Sequence, residues 1–349
     1  MASVTPAPVA LSDARAQGLS DWLSSLGVPL ADVAPASADA SFRRYFRVML
    51  ASSWSDAPGM STLIAMDAPP PNEDCRPYVH IARLLRNGGI NVPVVVAADI
   101  ARGYLLLGDL GSVTYASILD GDDASRLYAD ALDALVSMQR IRCDDELPPY
   151  DERLLRRELA LFPDWYVARH LGYEATDVER AALDRAFDAI VANNLAQPCV
   201  LVHRDYHSRN LMVTTPNPGV LDFQDAVFGP ITYDLVSLLR DAYVDWSEER
   251  QIDWAVRYWE RARGAGLPVR VDFGEFWRDF EWMGVQRQLK VLGIFARLWH
   301  RDGKRAYLAD MPRVMRYLRG ACARYRELEP LCMLLDALED SPPRVPHPG

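Results

Sequence analysis

The stretch Leu201-Val202-His203-Arg204-Asp205-Tyr206-His207-Ser208-Arg209-Asn210, followed by Val220-Leu221-Asp222-Phe223, decides how this chain is read. It contains a His-x-Asp, an Asn five residues after that Asp, and a second Asp beyond a turn-rich segment. These are the groups that phosphoryl transfer asks of a protein. The reaction needs little covalent help. It needs a carboxylate to orient the attacking hydroxyl and accept its proton, and oxygen ligands for a divalent cation on the nucleotide phosphates. Asp205 is the candidate base, and Asn210 and Asp222 are the candidate metal ligands. Mg²⁺ keeps several waters and phosphate oxygens, so one amide oxygen and one carboxylate suffice.

The neighbouring residues support this reading. Val200-Leu201-Val202 is a short apolar run, so the loop begins at a strand end. Asn210-Leu211-Met212-Val213 restarts a strand, Thr214-Thr215-Pro216-Asn217-Pro218-Gly219 is a turn by composition, and Val220 to Phe223 returns. The hairpin is expected to bring Asn210 and Asp222 together. The competing reading is a set of Asp and His residues capping turns in an ordinary loop.

With those residues in view, the chain resembles the aminoglycoside phosphotransferase and choline kinase family, small-molecule relatives of the protein kinases. The resemblance runs from about Ala34 to about Leu328 and is strongest over Leu201 to Asp241. The runs His203 to Met212, Asp222 to Leu235, Ile64 to Pro70 and Glu73 to Pro77 are similar to anomeric sugar kinases of cell-wall recycling. The resemblance implies an α+β, protein-kinase-like bilobal fold. Residues 1–107 would form a small nucleotide-binding lobe with an antiparallel sheet. Residues 108–340 would form a larger, mostly helical catalytic lobe, and residues 341–349 a disordered tail. It implies ATP and Mg²⁺ as cofactors. The acceptor would be a small sugar, N-acetylmuramate or N-acetylglucosamine, phosphorylated at C1. The backbone around Leu107 to Asp109 would pair with adenine, His203 would pack beneath the catalytic loop, and Asp234 would hydrogen-bond that loop. Two other readings stay open: a kinase of another small acceptor (an aminoglycoside, an amino alcohol or homoserine), and a nucleotide-binding pseudokinase.

Composition narrows the classes. The chain has 349 residues, half of them apolar, and a formal charge of −10. An acidic chain is a poor nucleic-acid binder, because that binding rests on neutralising phosphates. The five cysteines are odd in number and form no Cys-x-x-Cys, so neither a disulfide framework nor a zinc site is expected, and each thiol is read as buried. Met1 to Ser20 has neither the basic start nor the apolar stretch of a signal peptide, and no run reaches membrane-spanning length. A cytoplasmic monomer without membrane contact is expected.

Periodicity outlines the elements. Met1 to Pro8 reads as a loose tail and Ser12 to Gly27 as a helix capped by Ser12. Strands are read at Ala38 to Leu50, Leu63 to Met66, Val92 to Ala97 and Tyr104 to Leu107, with a helix from Cys75 to Asn87. Gly108-Asp109-Leu110-Gly111 then reads as a crossover. Helical patterns follow at Ser125 to Arg142, Glu152 to Leu171, Thr176 to Leu195 (opened by a capping box), Tyr233 to Tyr243, Ser247 to Arg263 and Asp272 to Arg301. A last one starts at Asp310-Met311-Pro312. Trp254, Tyr258 and Trp259 read as core or a supporting wall.

The chain also departs from the family pattern. It has no Gly-x-Gly-x-x-Gly loop, and Met66 stands where the phosphate-binding lysine is expected. Another cation must serve. The candidates are Arg43, Arg44 and Arg47. Read as one strand, they put Arg43 and Arg47 on one face and Arg44 on the other, and the resemblance favours Arg44. For the acceptor, the candidates are Gln224, Arg240 and Arg287. Asp241, Tyr243, Trp246, Gln286, Gln288 and Lys290 lie nearby in sequence, and an arginine suits a lactyl carboxylate. Asp225 is a weaker candidate for metal or substrate.

Overall fold

The continuous apolar run Tyr104-Leu105-Leu106-Leu107 is what an interior strand needs, and it forms one. The structure, a computed structural model, describes residues 13–38, 42–119, 124–143 and 145–339. It divides into two compact units: Met1–Val113 with Met212–Asp225, and Thr114–Leu211 with Ala226–Gly349. The first unit thus extends past Leu107 to Val113 and takes in the hairpin that carries Asp222. The expected tails and the Ser12 cap lie outside the described residues.

In the first unit, α1 (Ala14–Ser25) is capped by Asp13, whose Oδ1 accepts the Ala16 N–H at 2.8 Å. Five strands follow, interrupted by one helix: β1 (Leu30–Ala38), β2 (Arg44–Leu50), β3 (Thr62–Asp67), α2 (Arg76–Asn87), β4 (Val95–Asp99) and β5 (Tyr104–Gly108). The sheet order is β1-β2-β3-β5-β4, and every neighbouring pair is antiparallel. β5 is therefore flanked on both edges and buried throughout. Leu19, Trp22 and Leu23 of α1 pack on Val48, Leu63, Ala65 and Leu106. The segment Ala38 to Leu50, expected as a single strand, is divided between two: Ala38 ends β1 and Arg44 opens β2. The Ala-Pro-rich stretch before it hid β1, whose Pro35 lies at a register shift on the sheet edge, where a missing N–H breaks no ladder.

The second unit begins with α3 (Ala124–Gln139) and α4 (Glu152–Leu159), continues as a π-type helix over Phe162–Leu171, and reaches α5 (Asp177–Leu195). One helix was expected from Glu152 to Leu171. Pro163 has no N–H for the α-helical bond, and the helix widens there. The Thr176/Glu179 capping box is present in both directions. β6 (Cys199–Val202) leads to the catalytic loop. The chain then forms the hairpin of β7 (Leu211–Met212) and β8 (Gly219–Val220), and β9 (Val227–Pro230) pairs antiparallel with β6. Five helices finish the unit: α6 (Tyr233–Leu239), α7 (Glu248–Gly264), α8 (Phe273–Asp302), α9 (Met311–Cys322) and α10 (Glu329–Glu339). α8, about 45 Å long, is buried along most of its length and carries Gln286, Arg287, Gln288 and Lys290 into the interior. Trp254 stacks on Tyr128 with ring centroids 4.1 Å apart, and Tyr258 is buried, as core.

Cys75, Cys143 and Cys322 are buried, but Cys199, at the first position of β6, is exposed. Among the described residues no helix is long and apolar enough to cross a membrane.

The fit of α8 is testable through its glycines. A Cβ on Gly293 would lie 2.4 Å from the backbone carbonyl of Leu161, whereas one on Gly264 in α7 meets nothing within 4 Å. Gly293→Ala should destabilise the protein by about 1–3 kcal/mol through overpacking. Gly264→Ala should be neutral or gain up to about 1 kcal/mol from helix propensity. Urea denaturation of both variants checks the contrast, and equal midpoints would refute it.

Candidate active site

The loop that carries the candidate base Asp205 leaves β6 at His203, and its backbone is held at both ends by buried carboxylates. Asp234 Oδ2 accepts the His203 N–H at 2.7 Å and Oδ1 accepts the Arg204 N–H at 2.9 Å. Asp241 Oδ2 accepts the Ser208 N–H at 2.9 Å, and its Oδ1 accepts from Tyr243 N–H at 2.9 Å. α6 was expected to run to Tyr243. It stops at Leu239, and Arg240 leaves helical conformation at φ −111, ψ 49, which lets Asp241 turn to the loop. Within the loop, His203 Nδ1 accepts the Asp205 N–H at 3.2 Å, and the Asn210 side-chain amide donates to the Asp205 carbonyl at 3.0 Å. Asp205 and Asn210 are thus fixed to one another.

Arg204 sits in the left-handed region at φ 76, an uncommon conformation for a residue with a Cβ. Its guanidinium is anchored by Glu158 of α4 at 2.5 Å. Glu158 also pairs with Lys290 Nζ at 3.1 Å and accepts from the Tyr150 hydroxyl, while Lys290 donates to the Tyr233 hydroxyl at 2.8 Å. Burial would raise the Glu158 carboxyl, but Lys290 and Arg204 outweigh it and hold it low. Glu158 was not singled out from sequence. The signal was there: it lies on the stripe Leu155-Glu158-Leu159, a carboxylate on an apolar helix face.

This cluster sets the charge state of Asp205. Burial pushes its carboxyl up, but Lys290, His207, Arg287 and Arg204 together bring it down to about 2. The imidazole of His207 is pushed down by burial, against the pull of Asp241 and Asp205. Arg287 lies in this same field, and its buried Nε has no hydrogen-bond partner among the described residues, nor has His207 Nδ1. Arg240 is differently engaged. It donates through Nη2 to Glu281 at 3.0 Å and through Nε to Gln251 at 3.3 Å, and it lines a cleft of about 520 Å³ with Trp246, Tyr317 and Arg324.

The first unit holds the remaining candidates. Asp222, at φ 62, ends the hairpin, and its Oδ1 accepts from Gln224 Nε2 at 2.8 Å. Phe223 behind it packs on Tyr78 of α2, centroids 4.8 Å apart. Asp225 is exposed. Asp109 is tied to Arg47 at 2.6 Å and to the Gly111 N–H at 2.8 Å, and Leu107 is buried in β5. Met66 is buried. Arg44 donates to Asp67 through Nε at 3.0 Å and Nη2 at 2.5 Å, and to Asp13 through Nη1. Arg43 precedes β2 rather than lying in it. Its Nε donates to Glu73 at 3.0 Å, and its Nη1 lies 3.8 Å from Asp222 Oδ1. Of the two acceptor candidates in the second unit, Arg287 is brought into the field of Asp205. Gln224 belongs to the first unit with Asp222, and Arg240 is bound to Glu281.

One unit holds an antiparallel sheet and the other a loop anchored by helical carboxylates, and comparison with known proteins places these parts in a family. Residues 32–273 match the phosphotransferase enzyme family. A protein of Pseudomonas putida named N-acetylmuramate/N-acetylglucosamine kinase is 50% identical over 94% of this chain and 97% of its own length. One of the same name from Pseudomonas aeruginosa is 51% identical over 93% and 97%. Among solved structures, an ADP-bound aminoglycoside phosphotransferase aligns with a TM-score of 0.57 at 13% identity, covering 86% of this chain and 97% of its own. A Plasmodium vivax ethanolamine kinase aligns with a TM-score of 0.60 at 12% identity, covering 88% and 87%. The chain belongs to the phosphotransferase enzyme family and has a protein-kinase-like fold.

Asp234 gives this loop a pH dependence. Burial pushes its carboxyl up to about 6, against His203 and the two backbone N–H groups that favour the anion. As pH falls through about 6 the carboxyl gains a proton, both N–H bonds weaken, and the loop loosens. kcat should therefore drop on the acid side with a midpoint near 6, with the nucleotide's own titration measured separately. Asp234→Asn should show a low, flat profile. A wild-type kcat that stays level down to pH 5 would refute this role.

Proposed function

We propose that this protein is an ATP-dependent kinase that transfers the γ-phosphoryl group to the anomeric hydroxyl of N-acetylmuramate or N-acetylglucosamine, in the cytoplasm, as a step of cell-wall sugar recycling. The observation that carries the reading is Asp205: an ionised carboxylate on a loop pinned by Asp234 and Asp241, among Lys290, Arg287 and His207. The names of the half-identical relatives support the acceptor.

In this reading Asp205 accepts a hydrogen bond from the C1 hydroxyl and aligns its oxygen with the γ-phosphorus. A new O–P bond forms, the bond to the β,γ-bridging oxygen breaks, ADP leaves, and the hydroxyl proton passes to Asp205. A carboxylate held near pKa 2 is a weak base, so orientation is the larger part of its contribution. Arg287, with its orphan Nε, takes the lactyl carboxylate or an acceptor oxygen. Asn210 and Asp222 would hold Mg²⁺, and one amide oxygen with one carboxylate is a donor set that fits a cation arriving on its nucleotide. The ion would supply neutralisation of phosphate charge. The backbone at Leu107 to Asp109 pairs with adenine.

The test is ADP release across N-acetylmuramate, N-acetylglucosamine, aminoglycosides, amino alcohols and homoserine, with the product's phosphate position read by ³¹P NMR. Transfer to C1 of either N-acetyl sugar is expected. Turnover confined to another acceptor, or none with any, would overturn the proposal. Asp205→Asn should lower kcat about 10²–10⁴-fold while nucleotide affinity stays within a few-fold.

A further inference from the structure

We propose that Cys322 and Cys332 form a redox modification site, at which a hydroperoxide converts the two thiols to a reversible intramolecular disulfide. The inference is independent of the kinase reading. It begins with the register of the last two helices. Arg319 of α9 donates through Nη1 to Asp336 at 2.5 Å and through Nη2 to the Leu335 carbonyl at 2.5 Å. Its Nη2 also lies 3.2 Å from Glu339 Oε2. These contacts set α9 and α10 face to face. Cys322 stands three residues on from Arg319 along α9, and Cys332 three residues back from Leu335 along α10. Residues at that spacing share a helix face. An antiparallel pair held at Arg319 therefore brings the two cysteines opposite each other. Both are free, and their thiols share a hydrogen bond.

The two thiols differ in the way the chemistry asks. Cys322 is buried, whereas Cys332 is half-buried and reaches solvent. Cys322 donates the shared hydrogen bond, which together with burial pushes its thiol up. Cys332 accepts it, and that bond, helped by Arg319, brings its thiol down to about 7 against burial, Asp336 and Glu329. Elsewhere burial does the opposite, pushing Cys75 up to about 11 and raising Cys199. The thiolate is the reactive form, so Cys332 is the attacking sulfur. It bonds to one peroxide oxygen, the O–O bond breaks, and the leaving hydroxide takes the thiol proton as water. The Cys322 sulfur then bonds to the Cys332 sulfur, the S–O bond breaks, and hydroxide leaves with the Cys322 proton as a second water. Two thiols thus give two electrons and two protons to the peroxide. A resolving thiol already in contact stops Cys332 at the reversible rung of the oxidation ladder. A pair of thiols at a helix interface is otherwise ordinary apolar packing. This pair is set apart because the thiols touch and one of them is accessible.

The test is hydrogen peroxide treatment of wild type, Cys322→Ser, Cys332→Ser and Cys199→Ser, read by intact mass and by tryptic mapping without reduction. Wild type should lose two hydrogens, regain them in dithiothreitol, and yield the peptide Gly320–Arg324 joined to Glu327–Arg344. Cys199→Ser should behave as wild type. Cys322→Ser has no resolving thiol, so dimedone should label Cys332, and without dimedone Cys332 should pass on to the sulfinic acid. Cys332→Ser should show neither label nor cross-link at Cys322. The wild-type map decides the matter even where a variant folds poorly. Three results would overturn the proposal: a wild type that accumulates Cys332 sulfinic acid in place of the cross-link, a Cys332 left unmodified while Cys199 is oxidised, or a cross-link that forms as fast in urea as in the folded protein.

Discussion

The backbone of the catalytic loop turns on two N–H groups, those of His203 and Arg204, that end on one buried carboxylate, Asp234. Arg204 is a left-handed residue with a Cβ, a conformation that costs roughly 1–2 kcal/mol. It persists because its neighbours over-determine it. Asp234 takes the N–H, Glu158 takes the guanidinium, and β6 fixes the approach. The strain is local to the residue just before Asp205. Asp241 closes the far end at Ser208. Asp234 lies in the first turn of α6 and Asp241 just past its C-terminal end, so one short helix and the residues that leave it present both carboxylates to the loop.

Charge management follows from the same constraint. A buried Glu158 without partners would cost several kcal/mol. With Lys290, Arg204 and the Tyr150 hydroxyl around it, it becomes the counter-ion that lets two cations stay close to Asp205. Those cations keep Asp205 ionised despite its surroundings. The result favours geometry over basicity. For the proposed acceptor, an anomeric hydroxyl more acidic than an ordinary alcohol, an aligned weak base is adequate.

Sequence carried the elements with local signatures. The Thr176/Glu179 capping box, the Gly88 stop of α2 and the apolar β5 run are each decided by neighbours within a few residues, and each stands where its pattern puts it. The same holds for the loop motif from His203 to Asn210, whose internal hydrogen bonds span at most five residues. What was illegible depends on distant partners. Glu158 meets Arg204 across 46 residues and Lys290 across far more, and nothing local distinguishes it from the exposed charges around it except its place on an apolar stripe. β1 was hidden because Ala and Pro read as loop, while an edge position tolerates both. The arginines of β2 were read with strand alternation, which fails for Arg43 because the strand begins one residue later.

The chain holds only two lysines, Lys290 and Lys304, against many arginines, and this bears on how its cationic sites are built. Lysine is a point charge on a flexible stem, and in this chain it serves once in the interior, where Glu158 and Tyr233 fix its direction. Elsewhere the work falls to guanidinium groups, which need an acceptor in their own plane to hold them. Each arginine of the first unit discussed above has one: Asp67 for Arg15 and Arg44, Asp109 for Arg47, Glu73 for Arg43. A protein that builds with arginine must therefore supply a matching carboxylate at each site. At the level of single residues, these carboxylates are what keeps the arginines pointed.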